Sequence, residues 1–176
     1  MPTIDESYYA SKFVTAEEAT SKLKNGFRVF VGSGCGEPQL LLHAMVANRH
    51  LQDIMIFQML SHSFEQYLQS PDFLSRFALK LFFITNTMRQ AAFEGKIDYI
   101  PVYLSEIPKL FRNRQITLDV ALIQVSPPDK FGLASLGVSV DVTREAVRSA
   151  RLVIAQLNPR MPRTHGDSFI HVDDID

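Results

Sequence analysis

Ile54-Met55-Ile56-Phe57 is an unbroken apolar run, and residues 27–31, 79–84 and 118–125 are nearly as apolar. Strands of this kind have no polar face to turn toward water, so they belong in a parallel sheet covered by helices on both sides. The intervening segments carry helix signals. Thr15-Ala16-Glu17-Glu18 reads as a capping box that opens a helix to about residue 24, stopped by Asn25-Gly26. Residues 39–48 are helical and apolar nearly all round, which predicts cover on more than one side.

Further on, residues 61–77 have a helical pattern broken at Pro71, where Ser70 caps a new start. Asn86 reads as the cap of a helix that Gly95 ends. Residues 99–103 read as a fourth strand and 105–113 as a short helix with Pro108 in its first turn. Ser126-Pro127-Pro128-Asp129 ends the fifth strand. Residues 131–140 alternate loosely, as a hairpin or an irregular crossover. Thr143 reads as the cap of a helix to Ala150, residues 152–157 as a sixth strand, and 168–172 as a strand at the end. The expected fold class is α/β, a mostly parallel sheet flanked by helices.

A length of 176 residues predicts one domain with a real core. The net charge of -1 argues against a chain built to bind nucleic acid or an anionic membrane. One cysteine excludes an intrachain disulfide and fits a reducing compartment. No segment has the length and apolarity of a membrane span, and Met1 to Tyr9 lacks the layout of a signal peptide, so the expectation is a cytoplasmic protein. The abrupt ending after residue 172 fits either an edge strand or the front part of a longer protein.

The most chemical stretch is Val31-Gly32-Ser33-Gly34-Cys35-Gly36-Glu37-Pro38-Gln39. Alternate glycines let the backbone turn sharply and approach a ligand, and Pro38 suits the first turn of the following helix. A strand, free amides and a helix N-terminus make a place for negative charge. No Lys-Ser or Lys-Thr follows the glycines, and their spacing is not that of a dinucleotide fingerprint. Glu37 at the mouth would repel a pyrophosphate, which favours a carbonyl or carboxylate oxygen as the group met by the amides. A tight turn with no ligand remains open on these residues alone.

Cys35 is a candidate nucleophile because helix-terminus amides lower a thiol pKa, although the sequence places no base beside it. Among the five histidines, His43, His50, His62, His165 and His171, no spacing matches a zinc pattern, and no metal is expected. Arg144, Arg148 and Arg151, and separately Lys109, Arg112 and Arg114, are basic groups suited either to phosphates or to solvent. In open α/β sheets ligands bind outside the carboxyl ends of strands. By that rule the loops at 32–38, 85–89, 105–108, 126–132 and 158–166 border one cleft.

Several of these loops, in this order, resemble a known family. Gly32-Ser33-Gly34 with Glu37-Pro38, then Phe82-Phe83-Ile84-Thr85-Asn86 with Arg89, then Tyr99-Ile100-Pro101-Val102-Tyr103-Leu104-Ser105-Glu106-Ile107-Pro108 are similar to stretches of the acetyl-CoA hydrolase/transferase family. Ser126-Pro127-Pro128 with Gly132, Gly137 with Ser139 and Asp141, and Asn158 with Met161, Pro162 and Gly166 continue the match. The resemblance runs from Phe13 onward, and the family includes 4-hydroxybutyrate, acetate and succinate CoA-transferases. It implies a class I CoA-transferase-like N-terminal domain and a second α/β domain of similar fold, with the active site between them. It also implies transfer of CoA between carboxylic acids through an enzyme glutamyl-CoA thioester, or release of CoA by hydrolysis.

The catalytic glutamate of that family lies in the C-terminal domain, past the end of this chain. Neither Glu37 nor Glu106 matches it, and no residue here takes a catalytic role. The resemblance implies instead that Gly32, Ser33, Gly34, Gly36 and Pro38 line the acyl or oxyanion side of the cleft, with the amides of Gly34 and Gly36 as donors. Pro162, His165 and Gly166 are expected near that loop, and Asn86 and His165 as polar groups lining the pocket. Coenzyme A or acyl-CoA is implied as substrate rather than as a permanently bound cofactor. The implied partners are an acyl-CoA, a small carboxylic acid, the chain's own C-terminal domain and, in a homodimer, a second copy. The alternatives are a stand-alone acyl-CoA thioesterase using Cys35 and a non-catalytic domain that binds a CoA ester or a partner.

Overall fold

The computed structural model describes residues 9–61 and 63–176; His62 and residues 1–8, the segment on which the signal-peptide expectation bears, lie outside the described residues. Its strands are β1 (Arg28–Val31), β2 (Ile54–Gln58), β3 (Phe77–Leu81), β4 (Asp98–Tyr99), β5 (Leu118–Val125), β6 (Leu133–Ser135), β7 (Ala150–Leu157) and β8 (Phe169–His171). The apolar runs form the centre of a six-stranded sheet in the order β4-β3-β2-β1-β5-β7, with every pairing parallel. β6 and β8 pair antiparallel as a separate two-stranded sheet. The helices are α1 (Ala16–Thr20), α2 (Gln39–Ala47), α3 (Pro71–Arg76), α4 (Asn86–Phe93), α5 (Ile107–Arg112) and α6 (Thr143–Ser149).

The strands are covered on both faces. Val29, Val31, Ile54, Ile56, Leu79, Leu81, Val120 and Leu122 pack with apolar residues of α1 to α4. Phe30, Phe57, Ala121, Ile123 and Val125 point the other way, onto Ile107 and Phe111 of α5 and Ala146 and Val147 of α6. Each fully buried Leu, Ile or Phe contributes about 1.5–3 kcal/mol relative to exposure, so an uninterrupted apolar run suits only this two-sided burial.

From β1 the sheet grows in one direction through β2, β3 and β4, and β5 and β7 then build on the other side of β1. That reversal opens a crevice beyond the carboxyl ends of β1 and β5, where loops on either side diverge. The loop at 32–38 leaves β1 directly at this switch point.

Several expectations are corrected. The helix after Thr15 ends at Thr20, although the capping box is present with both of its bonds. The third strand starts earlier, at Phe77, because α3 feeds straight into it. The fourth is only Asp98–Tyr99, since Pro101 has no N–H for the ladder. The Thr85 hydroxyl, and not Asn86, caps α4 by accepting from the Met88 amide, and Asn86 is the first helical residue. Thr143 is likewise the first residue of its helix, with its amide bonded to Asp141 Oδ1. Helix α2 is covered on one side only, with Leu40 63% exposed. Residues 131–140 hold β6, whose partner is the distant β8.

Helix α2 is anchored at its C-terminal end by a buried guanidinium. Arg76 donates to Val46 O at 2.9 Å and Asn48 O at 3.1 Å, and its charge is matched by Asp72. A cation at a helix C-terminus satisfies orphan carbonyls and the dipole together. Arg76→Met leaves those carbonyls unpaired and is expected to lower stability by about 3 kcal/mol, read from the midpoint of urea unfolding. An unchanged midpoint would remove Arg76 as the anchor.

Candidate functional site

The glycines of the switch-point loop are there for two reasons. Gly34 has a φ of 56°, a left-handed conformation that disfavours any Cβ. Gly36 is needed for close approach, because a Cβ there would lie 2.3 Å from Ser139 Cβ. The loop therefore folds into a single 3-10 turn, Gly34–Gly36, pressed against the segment that carries Ser139. Pro38 sits one position before α2 rather than within its first turn. Cys35, between the two glycines, is exposed.

The nest expected from the sequence is closed. The Gly34 amide donates to Leu60 O at 3.2 Å, and the Gly36 amide donates to Ser33 O at 3.0 Å. Gly32 continues the ladder from β1 to Leu122 O. Ser33 points inward, where its hydroxyl accepts from the Met59 amide at 3.0 Å. These groups hold the loop to its neighbours and are not free donors.

Glu37 is also placed differently from the expectation. It is not at the mouth but buried, with 3% of its surface exposed. Its carboxylate accepts from Gln58 Nε2 at 2.9 Å, Ser63 Oγ at 2.7 Å and, more weakly, Ser61 Oγ at 3.4 Å. Its backbone oxygen accepts from Gln124 Nε2 at 2.9 Å, and Gln124 in turn accepts from Asn158 Nδ2 at 2.6 Å. Gln58 ends β2, Gln124 lies next to the end of β5, and Asn158 follows β7. One polar network thus joins the carboxyl ends of these strands with the loop that follows β1. The sequence signal for it was a glutamine closing an otherwise apolar strand, in Ile54-Met55-Ile56-Phe57-Gln58 and again in Leu122-Ile123-Gln124.

Beside this network is an open recess of about 520 Å³ lined by Gln39, His43, Ser63, Glu65 and Gln66. Ser63 faces both the recess and Glu37. Tyr67, stacked on Phe73 and edge-on to His43, has its phenol pushed above the ordinary value of 10.0, first by burial and then by the Glu37 charge. A second cleft, about 460 Å³, lies at the opposite, amino end of β7, between α6 and the last residues.

The loops that follow β5 and β7 are joined to each other. Asp129 accepts from the amides of Phe131 and Leu133 and pairs with Arg163 at 2.6 Å. Burial opposes its charge, but those amides and the guanidinium outweigh it and hold the carboxyl below its usual range. Thr164 donates to Gly137 O, and Gly137 precedes Ser139, the residue packed on Gly36. The structure therefore connects the loop of Pro162, His165 and Gly166 to the glycine loop through Gly137 and Ser139. His165 itself is exposed and edge-on to Phe169, and Asn86 is exposed at the start of α4. Neither is hydrogen-bonded to the glycine loop, and Asn86 follows β3, which is separated from β1 by β2.

Four of the six residues in the basic groups are ion-paired, Lys109 to Glu106, Arg112 to Glu145, Arg144 to Asp167 and Arg151 to Asp119. His171 accepts from the Asp173 amide at Nδ1 and meets Phe131 O at Nε2. Among the described residues no three His, Cys, Asp or Glu side chains gather as a metal site, and no helix is long and apolar enough to cross a membrane.

The model of the acetyl-CoA hydrolase/transferase N-terminal domain matches residues 3–176, and the chain belongs to that family. Among its relatives, 4-hydroxybutyrate coenzyme A transferase of Clostridium kluyveri is 44% identical over 172 residues, covering 97% of this chain and 40% of that protein. Succinyl-CoA:acetate/propanoyl-CoA:succinate CoA transferase of Fasciola hepatica is 41% identical over 162 residues, covering 90% of this chain and 33% of that protein. The crystal structure of RipA from Yersinia pestis superposes with a TM-score of 0.87 at 27% identity, covering 97% of this chain and 42% of that one. The chain thus spans between a third and about two fifths of the length of these proteins.

Two outcomes follow from the site geometry. Gly36→Ala forces a methyl into Ser139 and is expected to cost about 1–3 kcal/mol. Combined with Ser139→Gly it should cost less than the two single changes added together, by about 1 kcal/mol in a double-mutant cycle of chemical denaturation. Strict additivity would show that the contact is absorbed elsewhere. For Tyr67 the folded state favours the protonated phenol, so its contribution to stability is complete below the unfolded pKa and is lost as pH rises through the folded value. Ultraviolet titration of the protein should show a tyrosine ionising above the ordinary range, and Tyr67→Phe should remove it.

Proposed function

We propose that this chain is the N-terminal domain of a two-domain enzyme that moves CoA between carboxylic acids. The observation that carries the reading is the 44% identity to 4-hydroxybutyrate coenzyme A transferase, sustained over 97% of this chain and so through every loop of the switch-point cleft. The reaction is group transfer. A carboxylate of the enzyme, on this reading a glutamate of the C-terminal domain, attacks the acyl-CoA carbonyl to give a mixed anhydride and CoA thiolate. The thiolate attacks the glutamyl carbonyl, which forms the glutamyl-CoA thioester and releases the first acid as its carboxylate. A second small carboxylate takes the CoA by the same steps in reverse, which regenerates the glutamate.

In that scheme this domain supplies one wall of the cleft. Gly32, Ser33, Gly34, Gly36 and Pro38 shape the acyl side. Because the Gly34 and Gly36 amides are bonded within the fold, their part is to form a close, rigid surface without side chains rather than to donate to an oxyanion. Pro162, His165 and Gly166 border the cleft across the Gly137–Ser139 contact, and Asn86 its far edge. Coenzyme A is substrate rather than resident cofactor. The C-terminal domain and a second copy of the chain are the proposed protein partners, and the cytoplasm is the proposed compartment.

The thioesterase reading requires a base on Cys35, and among the described residues no histidine is hydrogen-bonded to it. The deciding experiment compares the whole protein, as its gene encodes it, with residues 1–176 alone. Both are given an acyl-CoA together with acetate, succinate or 4-hydroxybutyrate, and new CoA esters are followed by mass spectrometry. The whole protein is expected to form them and residues 1–176 to form none. Hydrolysis by residues 1–176 that Cys35→Ala abolishes would establish the thioesterase in its place.

A further inference from the structure

We propose that Glu37 is a positioning residue of this enzyme, a buried carboxylate that fixes the glycine loop at a set distance from Gln58, Ser61 and Ser63, beside the switch-point crevice. The inference rests on the CoA-transferase reading and adds a residue to it. Glu37 reaches no open surface, so it is placed to act through other groups and not on substrate.

The geometry has three parts. First, the donors to its carboxylate, Gln58, Ser61 and Ser63, all lie at the end of β2 or in the loop after it. Second, Gln58 Nε2 also donates to Gly32 O at 2.9 Å, so the same amide grips both ends of the glycine loop. Those two acceptors fix the orientation of the amide, since reversing it would face its oxygen toward both, and Oε1 is left buried with no partner among the described residues. Third, no lysine or arginine among the described residues pairs with the carboxylate. A buried anion held only by neutral donors is unfavourable compared with a neutral side chain of the same size. Folding alone does not call for it.

What the charge provides is strength and direction. Hydrogen bonds to a carboxylate are shorter and stiffer than those to an amide, as the 2.7 Å bond from Ser63 illustrates. Ser63 also lines the recess, so the bracket ends on the wall of the open space where a ligand would sit. A loop displaced by even an ångström from its productive position lowers turnover many-fold while leaving binding nearly intact.

The experiment uses the whole protein, as its gene encodes it, with wild type, Glu37→Gln and Glu37→Asp assayed side by side for CoA transfer. Glu37→Gln can keep its amide oxygen on Gln58 Nε2, but its NH2 then meets Ser63 Oγ, which must turn from donor to acceptor, so the short bond from Ser63 to a carboxylate is lost. The expected result is a kcat at least tenfold below wild type, a KM for the CoA ester within twofold, and a melting temperature equal to or above wild type. Glu37→Asp, which keeps the charge but shortens the reach, should lose kcat as well. A merely structural role predicts the reverse pattern, a lower melting temperature with normal kcat for the folded fraction, and that pattern overturns the proposal. Should Glu37→Gln fail to fold, Ser63→Ala carries the same test, with a kcat about threefold down at unchanged KM expected and a wild-type kcat overturning it. A wild-type protein without CoA-transfer activity overturns the functional reading and the role of Glu37 with it. An active wild type matched by an equally active Glu37→Gln overturns only the role of Glu37.

Discussion

The Glu37 carboxylate is the fixed point on which the carboxyl end of the sheet depends. Its side chain holds Gln58 and the serines after β2, while its backbone oxygen holds Gln124 and, beyond that, Asn158. Loops at strand ends are ordinarily the loosest parts of an α/β fold. Here those following β1 and β2 and the strand ends of β5 and β7 share one hydrogen-bonded network. Of its buried side-chain polar atoms, Gln58 Oε1 is the one without a partner among the described residues.

The topology explains why the network is where it is. Apolar runs fill the strands until the last turn of the sheet, where the reversal of strand order parts the loops and leaves backbone and side chains without apolar cover. Polar residues must begin at that boundary, and they must bond to one another to be tolerated there. The second contact, Gly36 against Ser139, brings the distant segment around Gly137 into the same arrangement. The pair of Asp129 and Arg163 ties the loops after β5 and β7 outside it.

Much of the fold was legible because the strands are buried on both faces, and continuous runs such as residues 54–57 admit few other readings. Boundaries were less so where a neighbour decides them: Pro101 shortens β4, and α3 runs directly into β3. Caps were misread by one residue at Thr85 and Thr143, since Thr, Asn and Asp are interchangeable in a capping pattern until their bonds are known. The family was legible from loop motifs in sequence order. The site was legible only in part. Gly32 to Pro38 announced a tight loop, but nothing in the residues told that the Gly34 and Gly36 amides turn inward or that Glu37 is swallowed by the fold. Burial of a charged residue depends on distant partners, here residues 21 to 87 positions away, which local patterns do not reveal.

Cys35 acquires a different meaning in this setting. It is the chain's single thiol, it is exposed, and it stands between two glycines on the turn that the network secures. A maleimide dye or spin label added to these 176 residues would attach at one place, on the loop nearest the switch point. The native sequence therefore carries a built-in address for spectroscopy, and distances or mobility at the cleft become measurable without engineering a cysteine into it.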